Sequence, residues 1–186
     1  LFADVARVKA ILGNTDRPVQ LLVAGKAHFG DTASKSVLSD IMKIFGTELS
    51  GLALFVPDYN LELARYLVQG SDVWLNTPEY GKEASGTSGM KAMANGVLNC
   101  SVADGWVPEL DWSNKGWIID HTRVSDSLYE LLETQIVPEF YDRQLLDSEN
   151  SVAVPEAWVT KMRNGIEESG KFSAQRMLHQ YKEELY

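Results

Sequence analysis

Glu83-Ala84-Ser85-Gly86-Thr87-Ser88-Gly89-Met90-Lys91 gathers a carboxylate, three hydroxyls, two glycines and a primary amine directly ahead of the helix-forming run Ala92-Met93-Ala94. A glycine-rich turn lets backbone N–H groups approach a ligand closely. The helix start beyond it offers unpaired N–H groups and the positive end of the helix dipole, so the arrangement suits an anion. Thr87 and Ser88 add hydroxyl donors. Lys91 adds either a positive charge or, if desolvated, an amine nucleophile able to form an imine with an aldehyde. The same residues would also serve as an ordinary loop, a helix N-cap and a solvated lysine, and local composition leaves both readings open. The spacing is not GxxxxGK[ST], which argues against a P-loop triphosphatase.

A strand must deliver this loop and a helix must carry it away, and the chain supplies both in alternation. Phe2, Val5, Val8, Ile11 and Leu12 lie at helical spacing up to Gly13-Asn14. Val19 to Ala24 then reads as a strand buried on both faces, followed by the loop Gly25-Lys26-Ala27-His28. Helices are expected over 34–45, 61–68 and 88–94, and strands over 52–56, 72–75, 97–100 and 117–119. This order implies an α/β fold, a Rossmann-like parallel sheet with helices on both faces. Ligands of such sheets bind beyond the carboxyl ends of the strands, where Lys26, Tyr59, the 83–91 stretch and Asp104-Gly105-Trp106 would gather. C-terminal helices complete the chain: one from Ser125 to Pro138, one opened by Pro155 after a polar loop over 142–154, and one from Phe172 to Tyr186.

Composition narrows the partners. A chain of 186 residues with 45% hydrophobic and 23% charged residues supports one soluble domain with a core. The net charge of −9 argues against nucleic acid and anionic membranes, which need clustered Lys and Arg. A single cysteine, Cys100, excludes an internal disulfide, fits a reducing cytoplasm and, in its apolar run, reads as a buried structural thiol. No apolar stretch is long enough to span a bilayer, and no metal site is expected. The chain opens inside an amphipathic pattern without an initiating Met, as though cut from something longer.

Arg17-Pro18-Val19-Gln20, Gly25-Lys26-Ala27-His28, Asp58-Tyr59, Asp72-Val73-Trp74-Leu75-Asn76-Thr77-Pro78, Glu83 to Lys91, Asn95-Gly96 and Asp104-Gly105-Trp106 together resemble the α-glucan (glycogen/maltodextrin) phosphorylases, most of all their short bacterial and archaeal branch. The likeness runs on through Ser127-Leu128-Tyr129 and Ile136-Val137-Pro138 to Phe172-Ser173-Ala174-Gln175-Arg176-Met177, and so covers nearly the whole chain. The resemblance implies the C-terminal half of a two-domain GT-B glycosyltransferase fold. It also implies transfer of a terminal α-1,4-linked glucose from glycogen or maltodextrin to inorganic phosphate, giving glucose 1-phosphate. By that resemblance Lys91 holds pyridoxal 5′-phosphate as a Schiff base, Tyr59, Gly86, Thr87 and Ser88 surround the cofactor phosphate, and Glu83, Ser85 and Gly86 hold the glucose hydroxyls. Lys91 and Glu83 are the expected catalytic residues. Lys26 and His28 sit in a family-like loop, as contacts or as a turn without chemistry.

One departure stands against activity. In the family a segment rich in Arg and Lys, just before the region where this chain begins, supplies cationic contacts to both phosphates. Neither that segment, nor the first strand of this domain, nor the N-terminal domain lies within residues 1–186, so the chain is expected to be a single domain that is inactive alone. An unpaired strand edge and the face of Met177, Leu178 and Leu185 point to self-association as a homo-oligomer. A nucleotide-sugar glucan synthase of GT-B fold, and a non-catalytic sugar- or phosphate-binding domain, are the competing readings.

Overall fold

In a computed structural model the described residues are 1–142 and 155–185. Helix α1 (Val5–Leu12) is capped by the Asp4 side chain, which accepts from the Arg7 N–H, and it buries Val8 and Leu12. Strand β1 (Leu21–Ala24), helix α2 (Thr32–Gly46), strand β2 (Ala53–Val56), helix α3 (Leu61–Gly70) and strand β3 (Val73–Asn76) follow. Helix α4 (Thr87–Ala94), strand β4 (Leu98–Val102) and strand β5 (Gly116–Ile119) complete the alternation. All strand pairs are parallel, as the alternation requires.

The strands form two sheets rather than the single one expected. β1 pairs with β2, and β3–β4–β5 form the other sheet, so among the described residues β1 and β2 are the edges of one sheet and β3 and β5 those of the other. Residue patterning identifies strands and their faces but does not state which edges meet. Nor is β1 buried on both sides. Leu21 and Val23 pack with Ala53 and Phe55 against α1 and α2, while Leu22 and its partner Leu54 are 42% and 53% exposed on the opposite face. The three-stranded sheet is better covered, and every residue of β4 is buried.

Helix α5 (Val124–Leu131) passes through a π turn (Leu132–Ile136) into α6 (Val137–Tyr141). Pro138 therefore does not end the helix as expected. The wider turn ahead of it accommodates a residue that lacks a backbone donor and crowds the preceding carbonyls. Helix α7 (Glu156–Ser169) then crosses α4, where Gly165 permits the approach: a Cβ there would stand 3.2 Å from Met93 Cγ. Helix α8 (Ala174–Glu184) buries none of its residues. The expected loop over 142–154 falls, beyond Asp142, outside the described residues, as does Tyr186.

One core joins β3–β5 to α5, the π turn and α7 through Leu98, Cys100, Trp117, Leu128, Ile136 and Trp158. A second joins β1 and β2 to α1 and α2 through Val8, Leu12, Phe45 and Leu49. Tyr129 of α5 reaches into this second core, and its hydroxyl donates to the Leu1 carbonyl at 2.5 Å while accepting from the Asp4 N–H at 3.0 Å. Arg7 adds a second tie to α5 and its continuation, pairing with Glu133 at 2.7 Å and lying over the Tyr129 ring. The two sheets are thus held together by α1 and α5, through side chains.

Candidate functional site

The loop leaving β3 enters α4 at Gly86, whose φ of 84° and ψ of 46° place it in the left-handed region that glycine occupies without strain. Glycine has no side chain to cap a helix, and no other side chain among the described residues caps this end. The N–H group of Gly89 donates to the Gly86 carbonyl at 3.1 Å, and those of Thr87 and Ser88 are left for a ligand or solvent. Thr87, Ser88 and Lys91 are all exposed, and Thr87 and Lys91 are four residues apart on α4, hence on one face. This is the donor set that an anionic aldehyde needs: uncapped N–H groups, two hydroxyls, and an amine one turn on. Pyridoxal 5′-phosphate fits that description.

Behind the loop stands the turn after β4. Asp104 Oδ2 accepts from the N–H groups of Gly81 at 2.8 Å, Lys82 at 3.2 Å and Glu83 at 3.1 Å, and Oδ1 accepts from Gly105 N–H at 2.9 Å. These donors, that of Glu83 foremost, hold the Asp104 carboxyl below the usual carboxylate range against the opposing effect of desolvation. Trp106 N–H donates to the Ser85 carbonyl at 3.0 Å. Gly105 sits at φ 58°, and a Cβ there would meet Ser85 O at 2.5 Å and Glu83 Cγ at 2.9 Å, so the turn closes under the loop because this residue has no side chain.

Glu83 is half-buried, its side chain lying between Gly86 and Gly105. Its carboxylate makes no hydrogen bond to the protein among the described residues, which leaves both oxygens as acceptors. A further support comes from β4 itself. Asn99, 1% exposed, donates through Nδ2 to the Gly89 carbonyl at 3.1 Å, and fixes the first turn of α4 to the sheet.

Residues 5–111 match the sequence profile of a family described as carbohydrate phosphorylase. The chain belongs to that family. A glycogen phosphorylase of Aquifex aeolicus (strain VF5) is 38% identical over 196 residues, an alignment covering 100% of this chain and 28% of that protein. A maltodextrin phosphorylase of Thermococcus litoralis is 36% identical, over 100% of this chain and 23% of the relative. A glycogen phosphorylase of Mycobacterium bovis is 35% identical, over 100% and 22%. The chain thus spans about a quarter of the length of these curated relatives. Membership of the carbohydrate phosphorylase family bears out the resemblance drawn from the motifs.

Within this phosphorylase-family chain the expected site residues fall into two groups. Glu83, Ser85, Gly86, Thr87, Ser88 and Lys91 form one continuous unit, with Glu83 and Ser85 bonded through their backbone to the 104–106 turn. Tyr59, exposed, lies instead on the turn between β2 and α3, after Asp58 at φ 57°, and α3 packs on α4. Lys26 is exposed after β1, and His28 Nδ1 accepts from the Gly30 N–H at 3.3 Å. Among the described residues no hydrogen bond links Tyr59, Lys26 or His28 to the 83–91 unit. Patterning placed Asp104 at this end of the sheet without giving its role, and missed Asn99, which reads as one more residue of an apolar run.

Cys100 is buried in the core and desolvation pushes its thiol up to about 12, in keeping with a structural role. Among the described residues no group of three His, Cys, Asp or Glu side chains is placed to hold a metal ion, and no helix is long and apolar enough to cross a membrane.

Proposed function

We propose that this chain is the pyridoxal 5′-phosphate-binding part of an α-glucan phosphorylase, which transfers a terminal α-1,4-linked glucose of glycogen or maltodextrin to inorganic phosphate and yields glucose 1-phosphate. The observation that carries this reading is the exposed Lys91 amine one turn beyond the uncapped Gly86–Ser88 helix start, in a chain of the carbohydrate phosphorylase family. When bound, the cofactor supplies a phosphate group able to exchange a proton with the substrate phosphate.

The residues of this chain divide the remaining work. Lys91 Nζ would tether the cofactor covalently. The hydroxyls and backbone N–H groups of Thr87 and Ser88 would neutralise its phosphate, with the Tyr59 hydroxyl as a further donor. Glu83 accepts from glucose hydroxyls, for which its carboxylate has no protein competitor among the described residues, and Ser85 and Gly86 orient the same sugar. Two facing phosphates repel, and cations must offset that repulsion. By the family resemblance those cations come from a segment outside residues 1–186, so these residues by themselves are proposed not to sustain turnover. The same resemblance places a first, central strand outside these residues. In a doubly wound order that strand would stand between β1 and β3, the sheet edges opposite β2 and β5. Self-association through that edge, or through the exposed Met177, Leu178 and Leu185, is expected; a strictly monomeric species at high concentration in light scattering contradicts it.

The enzymatic test is release of glucose 1-phosphate from maltodextrin and phosphate by the longest natural polypeptide carrying this sequence, with loss on Lys91→Ala. Turnover only with a nucleotide-sugar donor would overturn the phosphorylase reading. Sustained turnover by the 186 residues alone would overturn the claim that they are insufficient.

A further inference from the structure

We infer that Asp104 is the positioning residue of this site, holding the backbone of residues 81–83 so that Glu83 and the Gly86 turn keep the geometry from which α4 receives its ligand. The inference rests on the proposed cofactor role of Lys91 and extends it to a residue that would touch neither cofactor nor sugar.

Three successive N–H groups converge on one carboxylate oxygen, and a fourth donor occupies the other. Backbone N–H groups arranged in this way form a small anion-binding nest, here filled by the protein's own side chain. The alternatives open to the loop are few. Lys82 N–H has a second acceptor in the Glu79 carbonyl at 3.0 Å, but Gly81 and Glu83 have no other acceptor among the described residues. The only ion pair of this segment among the described residues, Lys82 with Glu79, lies on the surface, where such pairs contribute little. An asparagine of the same shape would keep one acceptor oxygen, lose the charge, and set an NH₂ donor against N–H donors. A carboxylate is therefore what this turn requires. Its link to function runs through contact: Glu83 Cγ and Ser85 O both pack where a side chain of Gly105 would stand, so displacement of the 81–83 backbone moves Glu83 away from the loop it shares with Gly86.

The test compares Asp104→Asn with Asp120→Asn. Asp120 is a control carboxylate that caps a turn after β5 by accepting from the Thr122 N–H at 2.9 Å; among the described residues none of its hydrogen bonds reaches residues 81–91, and its turn meets that loop through His121, stacked on Tyr80. Amide hydrogen exchange at Gly81 and Glu83, and the dissociation constant for pyridoxal 5′-phosphate by absorbance titration, are read for both variants and the parent. Asp104→Asn is expected to speed exchange at the two amides and weaken cofactor capture, each by about tenfold, the size of a lost charge-assisted hydrogen bond. Exchange in β4 should stay unchanged. Asp120→Asn should lower thermal stability with neither effect. Parent-like values in Asp104→Asn, faster exchange with unchanged affinity, or equal weakening in both variants would each overturn the inference. If the parent captures no pyridoxal phosphate, the cofactor reading fails by itself, and exchange at Gly81 and Glu83 alone decides whether Asp104 holds the loop.

Discussion

Asn99 Oδ1 lies where a side chain at Gly89 would have to begin: a Cβ built on Gly89 would stand 2.7 Å from it, and 3.1 Å from Cζ2 of the Trp106 ring. The same asparagine donates through Nδ2 to the Gly89 carbonyl. One buried amide thus sets both how close α4 comes to β4 and the height at which it sits, and so where Lys91 emerges two residues later.

Gly89→Ala should therefore destabilise the fold by about 1–3 kcal/mol, the usual cost of overpacking a filled site. Asn99→Ala should recover part of that loss when combined with it, because it removes the atom that clashes. Urea denaturation of the two single variants and the double variant measures the coupling; strict additivity would show that the two residues do not confront each other.

Tyr129→Phe should cost about 1–2 kcal/mol. The hydroxyl is the shared partner of Leu1 O and Asp4 N–H, in a residue only 1% exposed, and its removal leaves the Asp4 donor at the start of α1 without that acceptor. A fall in the urea midpoint without a change in slope is the expected result.

How much of this was legible beforehand differs from residue to residue. The strands and helices around 83–91 followed from hydrophobic period and glycine placement, since Gly86 and the apolar positions of α4 have few alternative uses. Sheet edges were not legible: Leu22 and Leu54 have the chemistry of buried strand residues yet share an exposed face, because burial depends on what packs above them. In the sequence Pro138 reads as a stop because its missing donor normally ends a helix, whereas the π turn before it is a tertiary solution. Asn99 gave no signal, since a polar residue in an apolar run is explained only by the partner it meets in space.

Acid should weaken the fold in a defined direction. The carboxyls of Asp31, Asp104, Asp111, Asp120 and Glu133 are all held below their ordinary values by hydrogen bonds, in Glu133 from Arg7. A carboxylate with a depressed folded value contributes stability that is complete above its unfolded value and is lost as pH falls through the folded one. The melting temperature should therefore start to drop from this cause below about pH 4 and keep dropping beneath it. In Asp104→Asn the drop should be shallower, and an equally steep profile would remove Asp104 from the set.

Cys100 should behave as a reporter of global unfolding. Its thiol is buried in the core and pushed up to about 12, so a thiol reagent at neutral pH should label it only as fast as the fold opens. Labelling far faster than exchange of the β4 amides would mean that the strand opens locally.

The central claim, that Lys91 is the cofactor anchor, is tested most directly by mixing the chain with pyridoxal 5′-phosphate, reducing with borohydride and mapping the adduct by peptide mass. A single phosphopyridoxyl group on Lys91, absent from Lys91→Ala, is the predicted result. An adduct spread over the exposed lysines, or one that persists unchanged in Lys91→Ala, would contradict it.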